Sequence, residues 1–327
     1  MLSRVASSIY WMARYMERAE NIARFVDVNL HLMLDGPVET EEQWEPLVIV
    51  TGDHKQFKER YGVANKDNVI NFLTFDRENP NSIISSVSSA RENARSVREV
   101  ISSEMWAQIN QFYYDLLDAE KAGVALDTPY DFYNRIKSYS HLFIGTTDTT
   151  MSHGESWHFD QVGRLLERAD KTSRILDVKY FFLLPRVEDV GTPIDNIGWA
   201  ALLNSASAFE MYRKKFRRIT PNDVAMFLIL DLKFPRSIRY CLLKAQISLH
   251  EITGTVIGTF TNKAERRLGR LRSELDYANI DEIISVGLHE FLDSFQTKLN
   301  GVGDAIFDTF FSLRPTEKEM QSREASQ

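Results

Sequence analysis

Residues 14–28 read RYMERAENIARFVDV, and a similar stretch, RLLERADKTSRILDV, occupies residues 164–178. At a constant offset of 150 residues, seven of the fifteen aligned positions are identical. Two unrelated stretches of average composition would share about one identity over this length. The identical pairs are Arg14/Arg164, Glu17/Glu167, Arg18/Arg168, Ala19/Ala169, Arg24/Arg174, Asp27/Asp177 and Val28/Val178. The stretch therefore predicts an internal repeat.

A second pair of similar stretches follows in the same order. Residues 69–83, VINFLTFDRENPNSI, match residues 224–238, VAMFLILDLKFPRSI, at an offset of 155 with seven identities in fifteen positions. Two ordered matches indicate a duplication, since chance similarity has no reason to preserve order. We predict two similar halves, residues 1–150 and 151–315, packed about a pseudo-twofold axis. The polar composition of residues 316–327 predicts a disordered tail.

Both repeated blocks have the periodicity of amphipathic helices. At 100° per residue, the apolar residues around Glu17 share one face and the charged residues share the other. Asn65 and Thr220 are suitable N-caps for the two copies of the second block, and Pro221 suits a first helical position. Both helices should end before the following prolines, where new helices can begin. Further helices are expected at 83–120, 128–148, 197–217, 238–274 and 281–312. No alternating strand pattern occurs, so we predict an all-α helical bundle.

The composition of the 327-residue chain excludes several classes of protein. A formal net charge of -7 provides no general basic surface, so we expect no nucleic-acid partner. The single cysteine, Cys241, excludes an internal disulfide framework. The apolar run Val224–Leu230 is far shorter than the roughly 20 residues that a membrane span needs. The early charges at the N-terminus do not resemble a signal peptide. We therefore expect a cytoplasmic protein that does not bind membranes.

The repeated motifs resemble those of the bacterial alpha-E domain family, which is named for an α-helical fold with a Glu-Arg motif. The similar segments are MLSRVASSIYWMARYMERAE at residues 1–20, ERAENIAR at 17–24, ERADKTSR at 167–174, DRENPNSI at 76–83 and SARENAR at 89–95. The resemblance extends through nearly the whole chain. It implies genomic association with ATP-grasp carboxylate–amine ligase-like proteins and with transglutaminase-like proteins. The implied theme is peptide or amide-bond synthesis and modification, with no established reaction for the helical domain itself.

The chain departs from the family pattern in two places. Residues 152–157 read SHGESW, where the pattern leads us to expect an Arg-Asp-Glu-Gly-Trp-like sequence before the second motif. The second copy also has Gln246-Ile247 where the first has Arg91-Glu92. The two halves are therefore no longer equivalent at the second of these places.

The charged residues of the first block and its repeat are the main candidates for a functional site. If they lie on a solvated helix face, an i,i+4 pair such as Glu20–Arg24 contributes only about 0.3–0.5 kcal/mol. Their repetition favours two other interpretations, a buried ion-pair network between the halves or a cleft that binds an anion or a carboxylate. The candidates are Arg14, Glu17, Arg18, Glu20, Arg24, Asp27, Arg164, Glu167, Arg168, Asp170, Arg174 and Asp177.

Secondary candidates occur in and after the second block. Asp76 and Asp231 each stand four residues before a proline, where a carboxylate can cap the next helix near Ser82 or Ser237. The other secondary candidates form a charged stripe on the following helix and are Arg91, Glu92 and Arg95. A di-iron bundle requires two Glu-x-x-His motifs, and the chain has only Glu155–His158. Since phosphate-binding glycine loops are also missing, we expect no metal and no cofactor.

Two classes of function are compatible with these residues. One is a non-catalytic helical scaffold that works with an ATP-grasp-like ligase, and with a transglutaminase-like protein in some contexts, and that presents or recognises a peptide. The other is an enzyme of peptide or amide chemistry in which a glutamate acts as base and arginines hold a carboxylate or acyl phosphate. Convergence of Glu17 and Glu167 in one pocket would favour the enzyme. Fully paired glutamates would favour the scaffold, and either protein can be an oligomer.

Overall fold

The computed structural model describes residues 1–35, 44–182 and 193–312, although the side chains of 32–35, 178–182 and 193–195 are outside the description. Within these ranges the chain forms sixteen α-helices and one π-helical turn, without a β-strand. The all-α prediction is therefore confirmed. The predicted polar tail at 316–327 lies outside the described residues.

Eight helices lie in each half of the described chain. The N-terminal half, residues 1–150, contains α1 (Ser3–Asp35), α2 (Glu45–Thr51), α3 (His54–Tyr61), α4 (Lys66–Thr74), α5 (Ile83–Ser96), α6 (Ser103–Ala122), α7 (Val124–Asp127) and α8 (Pro129–Thr150). The C-terminal half, residues 151–312, contains α9 (Glu155–Phe182), α10 (Pro193–Ser205), α11 (Phe209–Lys215), α12 (Pro221–Leu230), α13 (Ile238–Thr253), α14 (Lys263–Asp276), α15 (Ile280–Val286) and α16 (Leu288–Ile306). A π-helical turn, Phe307–Phe311, continues α16.

The two longest helices, α1 and α9, form the centre of the bundle and pack against each other. In the N-terminal half, α5 packs against α1, α6 against α5, and α8 against both α6 and α1. In the C-terminal half, α13 packs against α9, α14 against α13, and α16 against both α14 and α9. The central helices are thus covered on several sides by their own half and on one side by each other.

Small residues allow α1 and α9 to approach closely. A Cβ atom at Gly163 would overlap the carbonyl oxygen of Tyr10. Ala13, which stands 150 residues before Gly163, is also buried. Because a larger side chain at position 163 would separate the backbones, the glycine determines how closely the two central helices approach.

The predicted N-caps are confirmed. Asn65 accepts a hydrogen bond from the backbone N–H of Asn68 at 2.9 Å, and Thr220 accepts one from the N–H of Asp223 at 3.2 Å. After each proline the helix begins at the following serine cap, Ser82 or Ser237, rather than at the proline itself.

The predicted helical stretches are interrupted in four places. The stretch 281–312 breaks between α15 and α16, where Gly287 adopts a positive φ of 114°. The stretch 83–120 breaks before Ser102, which caps α6. The stretch 238–274 breaks where Gly254 adopts a positive φ of 69° and ends α13. The stretch 197–217 breaks between α10 and α11, where Ser207 has a φ of 48°. No helix in the described ranges combines the length and apolar character needed to cross a membrane.

Candidate functional site

The repeated glutamates lie inside the bundle, where α1 and α9 meet. The side chains of Glu17, Glu20 and Glu167 are completely buried. Helical periodicity correctly separates these residues from the apolar face of α1, but α9, α10 and α8 cover much of the polar face as well. The interpretation of this face as a solvated helix surface is therefore wrong for the glutamates.

Each repeated glutamate is held by an arginine of the other half. Arg168 donates to both carboxylate oxygens of Glu17, from Nε at 2.9 Å and from Nη2 at 2.7 Å. Arg18 donates to both oxygens of Glu167, from Nε at 2.7 Å and from Nη2 at 3.2 Å. Both are bidentate pairs, the geometry in which a guanidinium group binds a carboxylate most specifically. The Glu-Arg motifs thus join the two halves reciprocally.

The carboxylates of α1 are bridged by one further arginine. Arg236, which precedes α13, donates to Glu17 at 3.2 Å and also to Glu20. Glu20 accepts from Arg24 Nη2 at 2.6 Å and from Ser140 Oγ at 2.7 Å. We call this group the Glu17 cluster, which consists of Glu17, Glu20, Arg24, Arg168 and Arg236.

A second cluster surrounds the carboxylates of α9. Arg14 Nε donates to Glu167 at 2.8 Å, in addition to the pair with Arg18. Asp170 Oδ2 accepts from Lys171 Nζ at 2.9 Å and from Arg174 Nε at 3.0 Å. We call this group the Glu167 cluster, which consists of Arg14, Arg18, Glu167, Asp170, Lys171 and Arg174.

The surrounding cations keep the carboxylates ionised. Burial alone would raise the pKa of each glutamate, but Arg168 and Arg236 hold the pKa of Glu17 below its usual value. Arg18 and Arg14 lower the pKa of Glu167 further. In the same way, Lys171 and Arg174 outweigh burial and lower the pKa of Asp170 to about 2.

Arg236 is the cation of the two clusters whose pKa is lowered. Burial, reinforced by repulsion from Arg24 and Arg168, lowers its pKa to about 10, although Glu20 and Glu17 attract it. It remains charged at neutral pH, and its guanidinium contacts both glutamates of α1.

Two arginines connect the clusters to neighbouring helix ends. Arg24 Nη1 donates to the carbonyl of Ser205 at 3.1 Å, at the end of α10. Arg174 Nη1 donates to the carbonyl of Val50 at 3.1 Å, near the end of α2. These contacts satisfy carbonyl groups that lack partners within their own helices.

The remaining repeated residues lie around the clusters. Asp27 pairs with Lys137 at 2.7 Å, and Asp177 pairs with His289 at 2.7 Å. Arg164 does not reach Glu17 in the way that Arg14 reaches Glu167. Its Nε instead lies 4.0 Å from Asp160. The structure therefore brings most of the twelve candidates into the two clusters and leaves Asp27, Arg164 and Asp177 outside them.

Arg164 and Asp160 form a buried pair with loose contact. Burial raises the pKa of Asp160 to about 6, because Arg164 is too far away to compensate fully. Burial and repulsion by Arg168 also lower the pKa of Arg164. Asp160 Oδ1 has no hydrogen-bond partner among the described residues.

The secondary candidates lie away from the clusters. Asp76 pairs with Arg60 at 2.6 Å, and Asp231 pairs with Lys215 at 2.7 Å. The capping role that the sequence suggested for these carboxylates is filled by Ser82 and Ser237.

The charged stripe on α5 is only partly solvated. Arg91 Nε donates to Asn110 at 2.7 Å, and its guanidinium lies over the rings of Trp106 and Tyr113. Glu92 and Arg95 form an exposed i,i+3 pair at 2.6 Å. Only the latter two therefore lie on a solvated helix face.

Sequence reasoning missed Arg236, although a signal was present. At the offset of 155 residues, Arg236 aligns with Asn81, so the two similar stretches differ at this position. Asn81 accepts a hydrogen bond from Arg18 Nη1 at 3.1 Å, while Arg236 contacts Glu17. A comparison of the copies that considered charge differences as well as identities would have indicated position 236.

The two glutamates of the repeated motif do not converge in a pocket. Glu17 and Glu167 occupy separate clusters, and each is saturated by guanidinium groups. A carboxylate with a lowered pKa is a poor general base, because a base works best when its pKa lies near the operating pH. Among the described residues, no three His, Cys, Asp or Glu side chains are grouped in a way that would hold a metal ion.

Comparison with known proteins identifies a family but no characterised relative. Residues 1–311 match the Alpha-E family, which is described as a predicted alpha-helical domain with a conserved ER motif. An uncharacterised protein of Mycobacterium bovis is 23% identical over 336 residues, and the match covers 95% of this chain. Uncharacterised proteins from two strains of Mycobacterium tuberculosis are 23% and 22% identical over the same length. The match spans only 37% of each of these relatives. No solved structure is significantly similar to the chain.

Proposed function

The chain belongs to the Alpha-E family, and from this premise we propose that it is a non-catalytic helical module that works with an ATP-grasp-type carboxylate–amine ligase. The proposed process is peptide or amide-bond synthesis or modification, in the cytoplasm. A transglutaminase-like protein is a further proposed partner, and a peptide is a proposed ligand.

The saturation of the Glu-Arg motifs is the observation that carries this proposal. Glu17 and Glu167 each accept bidentate hydrogen bonds from an arginine, and their pKa values are lowered. Such groups can join helices, but they cannot readily accept a proton from a substrate. An enzyme that uses Glu17 or Glu167 as its base is therefore the less favoured alternative.

We further propose that the two halves are copies related by an approximate twofold axis. The reciprocal pairs support this, because Glu17 with Arg168 and Glu167 with Arg18 exchange roles between the halves. The neighbouring helices support it as well, because α5 and α8 pack against α1 as α13 and α16 pack against α9. Under this proposal, the Glu-Arg motif is the contact by which one copy holds the other.

The organisation of the relatives supports a module that acts beside other domains. The mycobacterial proteins contain the matching region within chains almost three times as long. Physical linkage of this region to further sequence is what we expect if the module acts together with a catalytic domain.

The proposal can be tested by affinity purification of the tagged protein from its native extract, followed by mass spectrometry. We expect the wild-type protein to recover an ATP-grasp-type ligase. We expect the double variant Arg18→Lys/Arg168→Lys to recover much less of it, because lysine cannot form the bidentate pairs that orient the two halves.

A matched control is the double variant Arg95→Lys/Arg270→Lys, which changes two exposed arginines and should behave like the wild type. Circular dichroism should show that all three proteins are folded. Recovery of no ATP-grasp-type protein by the wild type would refute the stable partnership.

A further inference from the structure

A cleft of about 360 Å³ opens beside the Glu167 cluster, between α1, α9 and the end of α16. This volume lies within the range of about 300–1,000 Å³ that is typical of small-molecule sites. Aromatic rings of Tyr10, Trp11, Phe307 and Phe311 form much of its wall. The last two belong to the π-helical turn, a rare element that often occurs at functional sites.

The cleft contains opposite charges with unused hydrogen-bonding capacity. Arg14 donates through Nε to Glu167 and through Nη1 to the Tyr10 hydroxyl at 3.1 Å, whereas its Nη2 has no partner among the described residues. Asp304 is exposed and forms no ion pair within the described part of the chain. Both side chains line the same cleft, and Arg14 Nη1 lies 3.8 Å from the position that a Cβ atom would occupy on Gly303, the residue before Asp304.

One buried atom at the cleft also lacks a partner. Asp170 lines the cleft and is only 7% exposed. Its Oδ2 atom accepts from Lys171 and Arg174, but Oδ1 has no hydrogen-bond donor among the described residues. Buried polar atoms normally have a partner, so the unpaired oxygen leaves this wall of the cleft with unused hydrogen-bonding capacity.

The arginine at the corresponding position of the C-terminal half has different neighbours. At the offset of 150 residues, Tyr10 and Trp11 align with Asp160 and Gln161. Gln161 accepts a hydrogen bond from Arg164, and a carboxylate oxygen of Asp160 lies 4.0 Å from Arg164 Nε. Arg164 is therefore occupied by neighbours on its own helix, whereas Arg14 has an aromatic cleft in front of it.

We propose that this cleft binds a zwitterionic amino acid or dipeptide with an apolar side chain. The carboxylate of the ligand pairs with Arg14, its ammonium group pairs with Asp304, and its side chain packs against Trp11 and Phe307. The inference rests on the proposed function for its biological meaning, because amide-bond synthesis uses amine and carboxylate substrates of this kind. The binding itself requires no partner protein.

Titration calorimetry on the full chain tests the proposal with L-phenylalanine and the dipeptide Ala-Phe as probes. N-acetylphenylalanine lacks the ammonium charge, and phenylalaninamide lacks the carboxylate. We expect each blocked compound to bind at least tenfold more weakly than phenylalanine, because each loses one charge-assisted hydrogen bond. Failure of both phenylalanine and Ala-Phe to bind, or equal binding of all the probes, would overturn the proposal.

Two matched variants assign the ammonium site. Asp304→Asn should weaken phenylalanine binding about tenfold and leave the binding of N-acetylphenylalanine unchanged. Asp308→Asn removes the same charge from an exposed position one turn further along and should change neither. Equal effects of the two variants on phenylalanine would refute the assignment of Asp304.

The calorimetry and the affinity purification fail independently. Phenylalanine binding without recovery of a ligase would refute the partnership and support the cleft. Recovery of a ligase without phenylalanine binding would support the partnership and refute the cleft.

Discussion

The Glu17 cluster and the Glu167 cluster are built from the same motif, but they differ in their access to water. In the Glu17 cluster, the side chains of Arg168 and Arg236 are only 7% and 8% exposed. In the Glu167 cluster, those of Arg14 and Arg18 are 18% and 14% exposed. One set of charges is enclosed by helices, while the other reaches the surface at its edge.

This difference shows that the strength of the ion pairs in a Glu-Arg motif depends on how deeply the surrounding helices bury them, and not on the motif alone. Buried charges attract each other strongly. Removal of one partner therefore costs more stability there than at the surface, because water cannot solvate the charge that remains. Charges at the edge of the bundle can be rehydrated. We therefore expect equivalent substitutions to have unequal effects in the two clusters.

The largest expected effect is that of Glu17→Gln. This substitution leaves Arg168 buried without its carboxylate and Arg236 with Glu20 alone, which should reduce the free energy of unfolding by about 3–5 kcal/mol. Glu167→Gln should cost about 1–3 kcal/mol, since Arg14 and Arg18 can turn towards water. Denaturant unfolding of both variants measures the difference. Equal losses would show that the difference in exposure has no energetic consequence.

A smaller effect is expected from Arg236→Asn, which introduces the residue found at the aligned position 81. The variant removes the bridge between Glu17 and Glu20 and should reduce the free energy of unfolding by about 2–3 kcal/mol. Asn81→Ala is the matched comparison, because it removes the hydrogen bonds of a neutral side chain to Arg18 and Asp53 in a partly exposed place and should cost about 1–2 kcal/mol. A larger loss for Asn81→Ala than for Arg236→Asn would contradict the bridging role.

The response to pH should have opposite signs at two buried carboxyls. The pKa of Asp170 is lowered to about 2, so its contribution to stability is present above pH 4 and is lost as the pH falls towards 2. The pKa of Asp160 is raised to about 6, so its neutral form stabilises the fold below pH 4, and this contribution is lost as the pH rises through 6.

Asp160→Asn should therefore stabilise the protein by about 1–3 kcal/mol at pH 8 and have little effect at pH 4. Thermal unfolding of the variant and the wild type across this range measures the difference. The same melting-temperature difference at both pH values would show that Asp160 does not titrate between them.

The smallest expected effect is on the rate at which thiol reagents label Cys241. Burial raises the pKa of its thiol to about 12, so we expect native protein to react very slowly with thiol reagents. Arg168 and Glu17 are among the charged neighbours that affect this thiol. Glu17→Gln should accelerate its labelling more than Glu167→Gln does. Equal labelling rates in the two variants would mean that the Glu17 cluster does not protect this region.

The sequence predicted the helical class and the residues of the central contact, but not their surroundings. Periodicity indicates which residues share a face of α1, and local chemistry identifies caps such as Asn65 and Thr220. Neither indicates that α9 covers the charged face, because that burial depends on contacts about 150 residues apart. Repetition of the charges did favour a buried network between the halves, but it left a binding cleft as an open alternative. Arg236 was missed for a related reason, since identities between copies cannot indicate a residue at which the copies differ.

Under the proposed duplication, the difference between Asn81 and Arg236 at aligned positions has a consequence for symmetry. In a dimer of identical subunits, two positions related by the twofold axis must carry the same side chain. Here the two aligned positions lie on one polypeptide, and position 81 carries asparagine while position 236 carries arginine. A single chain can therefore bury an arginine at one of two equivalent positions and leave a partly exposed asparagine at the other, a difference that identical subunits cannot acquire by substitution.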